Sequence, residues 1–473
     1  MRTWQLVAGS AVAGLALAVS AVVAAGPWDS GQRKAERDRA ASAGVTGGAD
    51  HGGGGLPQAA PSAPGVLPGL APGGARPATA PAALAAALKP LLADPALGAA
   101  RSASVVDAAS GTVLYADGAA DPMTPASTVK IVTAVAALAA LGPEHRIATR
   151  VVPGAAPGTI VLVGGGDPSL SARKKNPAGP GGSLVVLAGD TAQALKAAGT
   201  TTVTLGFDDS LYTGPARHPI GRNPNLAPVS ALTADEGRPD DSVSGPVDRT
   251  DTPAEDAAAT FATLLRERGI EVTGGTARTK APAGAEPLAV THSTPVAGLV
   301  ERMLTHSDND IAEALARQTA LASGQPASFE GGEKAVAAKL AGLGMDLSGT
   351  RFADGSGLNR ADKVSAGLLT ALLAKAADPA RPELRPVLTG LPVAGFTGTL
   401  RARNAGTSPA AGLLRAKTGT LSGVNSLAGT VVDPSGRLLV FAFLASDTPG
   451  AEAAEKALDR LASAVATTGG GGA

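Results

Sequence analysis

The sequence predicts an α+β protein: one antiparallel sheet packed by helices, with a helical region between its strands and an α/β domain inserted into it. Three observations carry this. An alternating segment near the start, SASVVDAASGTVLYADGAAD, reads as a hairpin turning at Ser110-Gly111. Near the end, LLRAKTGTLS, NSLAGTVVD and GRLLVFAFLAS read as three consecutive strands, the last two joined at Asp433-Pro434-Ser435-Gly436. Between these ends the chain is helical, except that residues 147–288 carry a βα pattern of their own, as an inserted domain would.

Taken in order, the elements are these. MRTWQLVAGSAVAGLALAVSAVVAAGPWDS has one early Arg2 and then an uncharged run from Leu6 to Ala25. About 20 apolar residues suffice to cross a bilayer, and the run also serves as a long signal core with small residues at Val23-Ala24-Ala25. Residues 1–25 are therefore expected to be a cleaved signal or an uncleaved anchor, with the rest of the chain outside the cytoplasm. Residues 26–81 turn to Gly, Pro, Ala and Ser, a composition that cannot offset its ordering entropy, and read as a disordered tether.

AALAAALKPLLADPAL, 82–97, is helical in pattern, with Pro90 expected to kink or split it. After the hairpin, PASTVKIVTAVAAL opens an apolar helix that Gly142 stops. In the insert, TIVLVGG and TTVTLGFDD alternate with helical DTAQALKAAG and AEDAAATFATLLRERG. GRPDDSVSGPVDRTDTP is turn-rich and reads as a surface loop. VAGLVERMLTHSDNDIAEALARQTALAS, EKAVAAKLAGLG and SAGLLTALLAKAAD are helical, and AEKALDRLASAVA closes the chain. The expected body is thus 82–146 with 289–467, the insert 147–288, and a disordered tail 468–473.

Composition excludes several function classes. Lys+Arg and Asp+Glu both number 40, so no net charge draws the chain to nucleic acid. Aromatics are 2%, too few for base-stacking platforms. The absence of Cys removes thiol catalysis, disulfides and Cys-ligated metals, and no cofactor or metal motif stands in their place.

Three short motifs occur in order: Ser127-Thr128-Val129-Lys130, Ser307-Asp308-Asn309, and Lys417-Thr418-Gly419 followed by Thr420. Each has an ordinary reading by itself. Ser127 could cap a helix with Lys130 as a solvated stem. Ser307, Asp308 or Asn309 could cap the helix that follows. Lys417 could be an edge-strand lysine beside a glycine bulge. S-x-x-K alone is weak: chance supplies on the order of one match in a chain this long. The chain contains such a decoy, Ser171-Ala172-Arg173-Lys174, with no helix to fix it.

The ordered triple is far more specific, because each motif sits in the context its chemistry needs: a helix start, a helix–helix junction and a late strand. Residues i and i+3 share a helix face, so Lys130 lies within reach of Ser127. A serine at its free pKa needs a base. Of the five histidines only His306 is near a motif, and no G-x-S-x-G elbow occurs. Lys130 is the available base if it is neutral, which requires roughly 4–5 kcal/mol against the ammonium. Burial and the second cation, Lys417, would both act in that direction.

With these residues the chain resembles the penicillin-recognising serine D,D-peptidases, most closely the class C low-molecular-mass penicillin-binding proteins, which are D-alanyl-D-alanine carboxypeptidases/endopeptidases. The resemblance spans about 82–467 and includes LVGGGDPSL, FDDSLY, MLTHSDNDIAEAL, FADGSGLNR and AKTGTLSGVNSLAGT. It implies a penicillin-binding transpeptidase/β-lactamase-like body and no cofactor. It also implies peptidoglycan stem peptides as substrate and β-lactams as acylating inhibitors; with the N-terminal run, the expected location is outside the cytoplasm at the cell envelope, secreted or anchored to the membrane through the N-terminus. Ser127 would be the nucleophile, Lys130 its base and Ser307 a proton relay. Asn309 would hold Lys130 and the substrate amide. Lys417, Thr418, Gly419 and Thr420 would face the terminal carboxylate, with backbone N–H groups of Ser127 and Thr420 as oxyanion hole. Arg360, after GSGL, is a candidate contact to a substrate side chain, or a plain surface arginine. The interval from Ser127 to Ser307 is short for the two nested inserts such proteins often carry, so GRPDDSVSGPVDRTDTP is expected to mark a truncated or missing second one. Two other readings share the motifs: a serine β-lactamase, which needs a deacylating glutamate near the site, and a non-catalytic envelope-binding protein of the same fold.

Overall fold

The computed structural model describes residues 79–176, 179 and 181–468. The expected signal or anchor at 1–25, nearly all of the tether at 26–81, and the tail after Thr468 lie outside the described residues. All described residues belong to one compact unit.

The hairpin and the C-terminal strands build a single sheet. Strands β1 (Ala100–Asp107) and β2 (Val113–Asp117) lie beside the later trio β8 (Leu414–Leu421), β9 (Val424–Val432) and β10 (Leu438–Ser446), in the antiparallel order β2-β1-β10-β9-β8. Chain ends thus meet at the sheet's centre, with Ala100 opposite Ser446 and Asp107 opposite Leu439. Strand β10 is almost uniformly apolar because both of its faces are covered. Leu439, Phe441 and Phe443 point to one apolar core, while Val440, Ala442 and Leu444 point to another. Helix α1 (Pro81–Leu92) and the last helix (Ala451–Thr467) cover the first face through Leu84, Leu88, Leu458, Leu461 and Val465. Pro90 sits inside α1, which ends two residues later at Leu92.

The opposite core surrounds α2 (Val129–Leu141), in which every residue from Val129 to Leu138 is buried. A helix that is apolar all round belongs inside a protein, and α5 (Val296–His306), α6 (Asn309–Ala322), α7 (Phe329–Gly342) and α8 (Ala366–Ala377) enclose it. The sheet therefore lies between two helical layers.

A second sheet comes from the chain between α2 and α5. Strands β3 (Ala148–Pro153), β4 (Thr159–Val163), β5 (Thr202–Asp208), β6 (Glu271–Arg278) and β7 (Ala289–His292) take the order β6-β5-β4-β3-β7. The β4–β5–β6 part is parallel, with α3 (Leu184–Ala197) and α4 (Pro253–Glu267) as its crossovers. Leu162, Leu184, Phe207 and Phe261 share its core. Two boundaries differ from expectation. Strand β7 belongs to this sheet, so the insert's pairing runs past residue 288. Thr79 is buried and bonded to Asp433 and to the Thr468 carbonyl, so the body begins before residue 82.

Candidate active site

The three motifs converge at the α2 end of the β8 edge. Ser127 lies in a 3-10 turn, Ala126–Thr128, that leads into α2. The turn is tied to the sheet: the Pro125 carbonyl accepts from Thr128 Oγ1 at 2.7 Å and from Ser426 Oγ on β9 at 2.6 Å. Ala126 is held at φ 49°, a conformation a non-glycine residue adopts only when its surroundings impose it. Gly419 makes the close approach feasible. A Cβ there would stand 2.2 Å from Ser426 Oγ, 2.7 Å from the Pro125 carbonyl oxygen and 3.1 Å from the Ser127 nitrogen.

One turn along α2, Lys130 is wholly buried. Its Nζ donates to Ser127 Oγ at 3.0 Å, to Asn309 Oδ1 at 2.6 Å and to the Ser356 carbonyl. Ser127 Oγ itself donates to the Ser356 carbonyl at 3.4 Å. Burial lowers the Lys130 pKa to about 8, against the pull of nearby carboxylates, Asp354 first among them.

The S-D-N junction uses each residue differently. Ser307 ends α5 in the left-handed region (φ 57°), and Asp308 caps α6 by accepting from the Ile311 N–H. Asn309, the first residue of α6, accepts from Lys130 and donates its Nδ2 to the Asn225 carbonyl at 2.9 Å. Capping and site geometry are thus the same arrangement, and the ordinary reading of Asp308 holds beside the chemical one.

Strand alternation separates Lys417 and Gly419 from Thr418 and Thr420. The cleft, about 340 Å³, is lined by Ser127, Ser307, Asn309, Thr418 and Thr420 among others. Lys417 is not in that lining. It is fully buried, and its Nζ reaches Ser307 Oγ at 2.9 Å and the Thr418 carbonyl at 2.8 Å from behind. Burial, then the charges of Lys130 and Arg403, hold its pKa well below the usual lysine range. The expected influence is therefore reversed. Lys417 is the lysine depressed by its neighbour, while Lys130 owes its shift to burial.

Arg360 is exposed and outside the lining; its Nη2 donates to the Ser422 carbonyl in the β8–β9 turn at 2.7 Å. The decoy resolves plainly. Ser171 Oγ donates to Asp235 Oδ1 at 2.6 Å, and Lys174 is exposed.

A family model described as the D-Ala-D-Ala carboxypeptidase 3 (S13) family matches residues 84–248 and 238–465. The chain belongs to this family. Among its relatives, a carboxypeptidase of Mycobacterium tuberculosis (strain ATCC 25618 / H37Rv) is 39% identical over 370 residues, 75% of this chain and 78% of that one. Carboxypeptidase DacB of Mycolicibacterium smegmatis is 36% identical over 390 residues, covering 80% and 82%. The crystal structure of penicillin binding protein 4 (dacB) from Haemophilus influenzae shares the fold, with a TM-score of 0.65 at 22% identity over 76% of this chain and 95% of that one. That protein has also been solved with a β-lactam bound.

In this S13 chain, two buried charge clusters back the site, and sequence reading missed both. Behind Lys130, Glu313 Oε1 accepts from the Gly355 and Ser356 N–H groups, and Asp354 Oδ1 from those of Ser356 and Gly357. His218 reaches in from the insert to Asp354 at 2.8 Å. Burial and the adjacent Asp354 push Asp362 up to about 10, so it is a neutral acid here. The second cluster joins Glu236, Asp308 and Asp310 to Arg238, Arg249 and Arg302. In each cluster three donor atoms lie within 4.8 Å of one another, but arginines, His218 and backbone N–H groups already occupy the carboxylates.

The loop GRPDDSVSGPVDRTDTP corrects its expectation. Arg249 is buried, and Arg238, Ser244, Gly245 and Arg249 line the cleft that holds Ser127. It is a wall of the site, not a free surface loop.

Proposed function

We propose that this protein is a serine D-alanyl-D-alanine carboxypeptidase that cleaves peptidoglycan stem peptides through a Ser127 acyl-enzyme, which β-lactams also form. One observation carries the reading: a fully buried Lys130, lowered to about 8, with its Nζ 3.0 Å from Ser127 Oγ. As an ammonium, Lys130 spends its three N–H bonds on Ser127, Asn309 and Ser356. Losing one proton frees a lone pair toward Ser127 while two donors keep Asn309 and Ser356. About a tenth of the lysine is in that form at pH 7.

Neutral Lys130 takes the hydroxyl proton as Ser127 Oγ bonds to the carbonyl carbon of the penultimate D-alanine. The developing oxyanion is met by the Ser127 and Thr420 N–H groups, each such donor contributing about 2.7–4 kcal/mol. Ser307, bridged to Lys417, relays to the departing amine the proton that Lys130 took, so that Lys130 is neutral again for the water step. The terminal carboxylate lies against Thr418 and Thr420. Lys417, whose partners are a hydroxyl and a carbonyl, lies behind them, and an arriving carboxylate favours its ammonium form. Water then attacks the ester and restores Ser127. Cleavage between stem peptides uses the same steps with a larger leaving group. No glutamate lines the cleft among the described residues, which disfavours the β-lactamase reading. An envelope location follows the substrate, and attachment through residues 1–25 is part of the proposal. No helix among the described residues is long and apolar enough to cross a membrane.

The test is labelling with a fluorescent penicillin, peptide mapping of the adduct, and release of D-alanine from a D-Ala-D-Ala peptide. Ser127→Ala should abolish labelling and cleavage with stability changed by no more than about 1 kcal/mol. Lys130→Ala should slow acylation roughly 10²–10⁴-fold. Ser171→Ala and Lys174→Ala should do neither. Labelling that survives in Ser127→Ala, or maps to Ser171, would sink the assignment. Rapid loss of the penicilloyl group would favour a β-lactamase, and absent turnover a binding protein.

A further inference from the structure

The cleft wall made by residues 238–249 lies outside the apolar cores found among the described residues. Cavities of about 230 and 430 Å³ flank the loop beyond the cleft, and Arg238 lines both as well as the cleft itself. Such a segment would ordinarily open at little cost. Here polar anchors hold it. Arg173, from the decoy motif, donates to the Asp240, Asp241 and Ser242 carbonyls. Arg302 on α5 donates to the Val243 carbonyl at 2.7 Å. Arg238 folds back onto the Ser244 and Gly245 carbonyls.

Two of these anchors, Arg238 and Arg302, meet Arg249 on one carboxylate. Glu236 Oε2 lies 2.8 Å from Arg238 Nε and 4.0 Å from Arg249 Nη2, and Oε1 lies 3.1 Å from Arg302 Nη2. Arg302 also faces Asp308 at 3.6 Å, and Arg249 faces Asp310 at 3.3 Å. The wall is thereby fastened to the start of α6, beside Ser307 and Asn309. Asp235 and Glu236 both adopt left-handed backbone (φ 51° and 55°), a geometry imposed on non-glycine residues by what they hold.

We propose that Glu236 is a positioning residue of this peptidase: it locks the 238–249 loop as the wall against which an extended peptide substrate is aligned. The inference rests on the carboxypeptidase reading above. Without the carboxylate, Arg238 Nε and Arg302 Nη2 lose the acceptor they share and Arg249 loses a neighbouring one, and the loop moves toward water. Ser127, Lys130 and Asn309 keep their own contacts, since none of them touches Glu236. A long substrate therefore loses its alignment, while a compact β-lactam still acylates Ser127.

The experiment measures KM and kcat on a D-Ala-D-Ala-terminated pentapeptide, and the second-order acylation rate with benzylpenicillin, for the full chain. Glu236→Gln should raise KM roughly tenfold with kcat and the penicillin rate within about twofold, the pattern of lost uniform binding. Glu236→Asp, which keeps a carboxylate, should recover part of the loss. Arg173→Ala, which leaves the buried cluster intact, should raise KM in the same direction by about threefold, and it decides the matter if Glu236→Gln does not fold. Unchanged KM in these variants overturns the proposal. So does an equal fall in kcat and penicillin acylation, which would place Glu236 behind Ser127 and Lys130 instead. A wild-type chain that cleaves no D-Ala-D-Ala peptide defeats the carboxypeptidase reading itself, a separate result.

Discussion

Lys130 has three N–H bonds and three acceptors, so its chemistry follows from which bond it gives up. Burial supplies the drive to lose a proton, and the carboxylates of Asp354 and Glu313 oppose it. The acylation rate should therefore rise with pH as the lysine deprotonates through about 8. Asp354→Asn tests the assignment of that limb. The amide oxygen can still accept from the Ser356 and Gly357 N–H groups, but the charge that most favours the ammonium is gone. Removing it lowers the Lys130 pKa, so the limb should move to lower pH by roughly half a unit or more. Stopped-flow acylation from pH 5 to 10 reads this directly. A limb that stays, or moves upward, would mean that another group titrates.

At the scale of elements, the site depends on how closely β8 meets the turn before α2. Gly419→Ala puts a Cβ where Ser426 Oγ, the Pro125 carbonyl and the Ser127 nitrogen already are. Strand and turn must part, moving Thr420 from Ser127. The expected result is a loss of about 1–3 kcal/mol in stability and roughly 10²-fold in kcat/KM. A variant that melts like wild type with normal turnover would show that the contact is not needed. This closeness explains what the sequence revealed. Ser127, Lys130 and Lys417 were legible because each interrupts an apolar periodic segment, and S-D-N because it falls between two helical patterns. The alternation that sets Lys417 behind Thr418 and Thr420 follows from the period of two in β8, yet the sequence reading set all of them against the terminal carboxylate. Other features were not legible. The 237–253 loop has the polar, turn-rich composition of a surface segment, and its partners Arg173, Arg302 and Asp310 are distant in sequence. Helix α3 starts at Leu184 because Ser183 caps it, yet LVVLAG has strand-like residues and an exposed Val186, so only its later half looked helical.

Across the whole molecule, the two ends of the described chain close on each other through one carboxylate. Thr79 Oγ1 donates to Asp433 Oδ2 at 2.9 Å and to the Thr468 carbonyl at 2.8 Å. Arg437 joins Asp433, Asp107 and the Thr79 carbonyl. Burial alone would raise the Asp433 pKa, but bonds from Ser435, the Arg437 N–H, Thr79 and the Arg437 side chain hold it down to about 2. A folded value below the ordinary 3.8 means that this group stabilises the fold fully above pH 4. The stabilisation is lost as pH falls toward 2, and amounts to roughly 2 kcal/mol. A chain beginning at residue 82 lacks Thr79 and so one of those donors. It should keep peptidase activity, because Ser127 and its partners are untouched. Its stability at pH 7 should fall by about 0.5–1.5 kcal/mol, and its further loss between pH 4 and 2 should be smaller, since the Asp433 pKa rises toward its unfolded value. A chain beginning at Pro77 should match the full protein in both respects. Thermal melts of the two chains from pH 2 to 7 decide it: coincident curves would mean that Thr79 closes nothing.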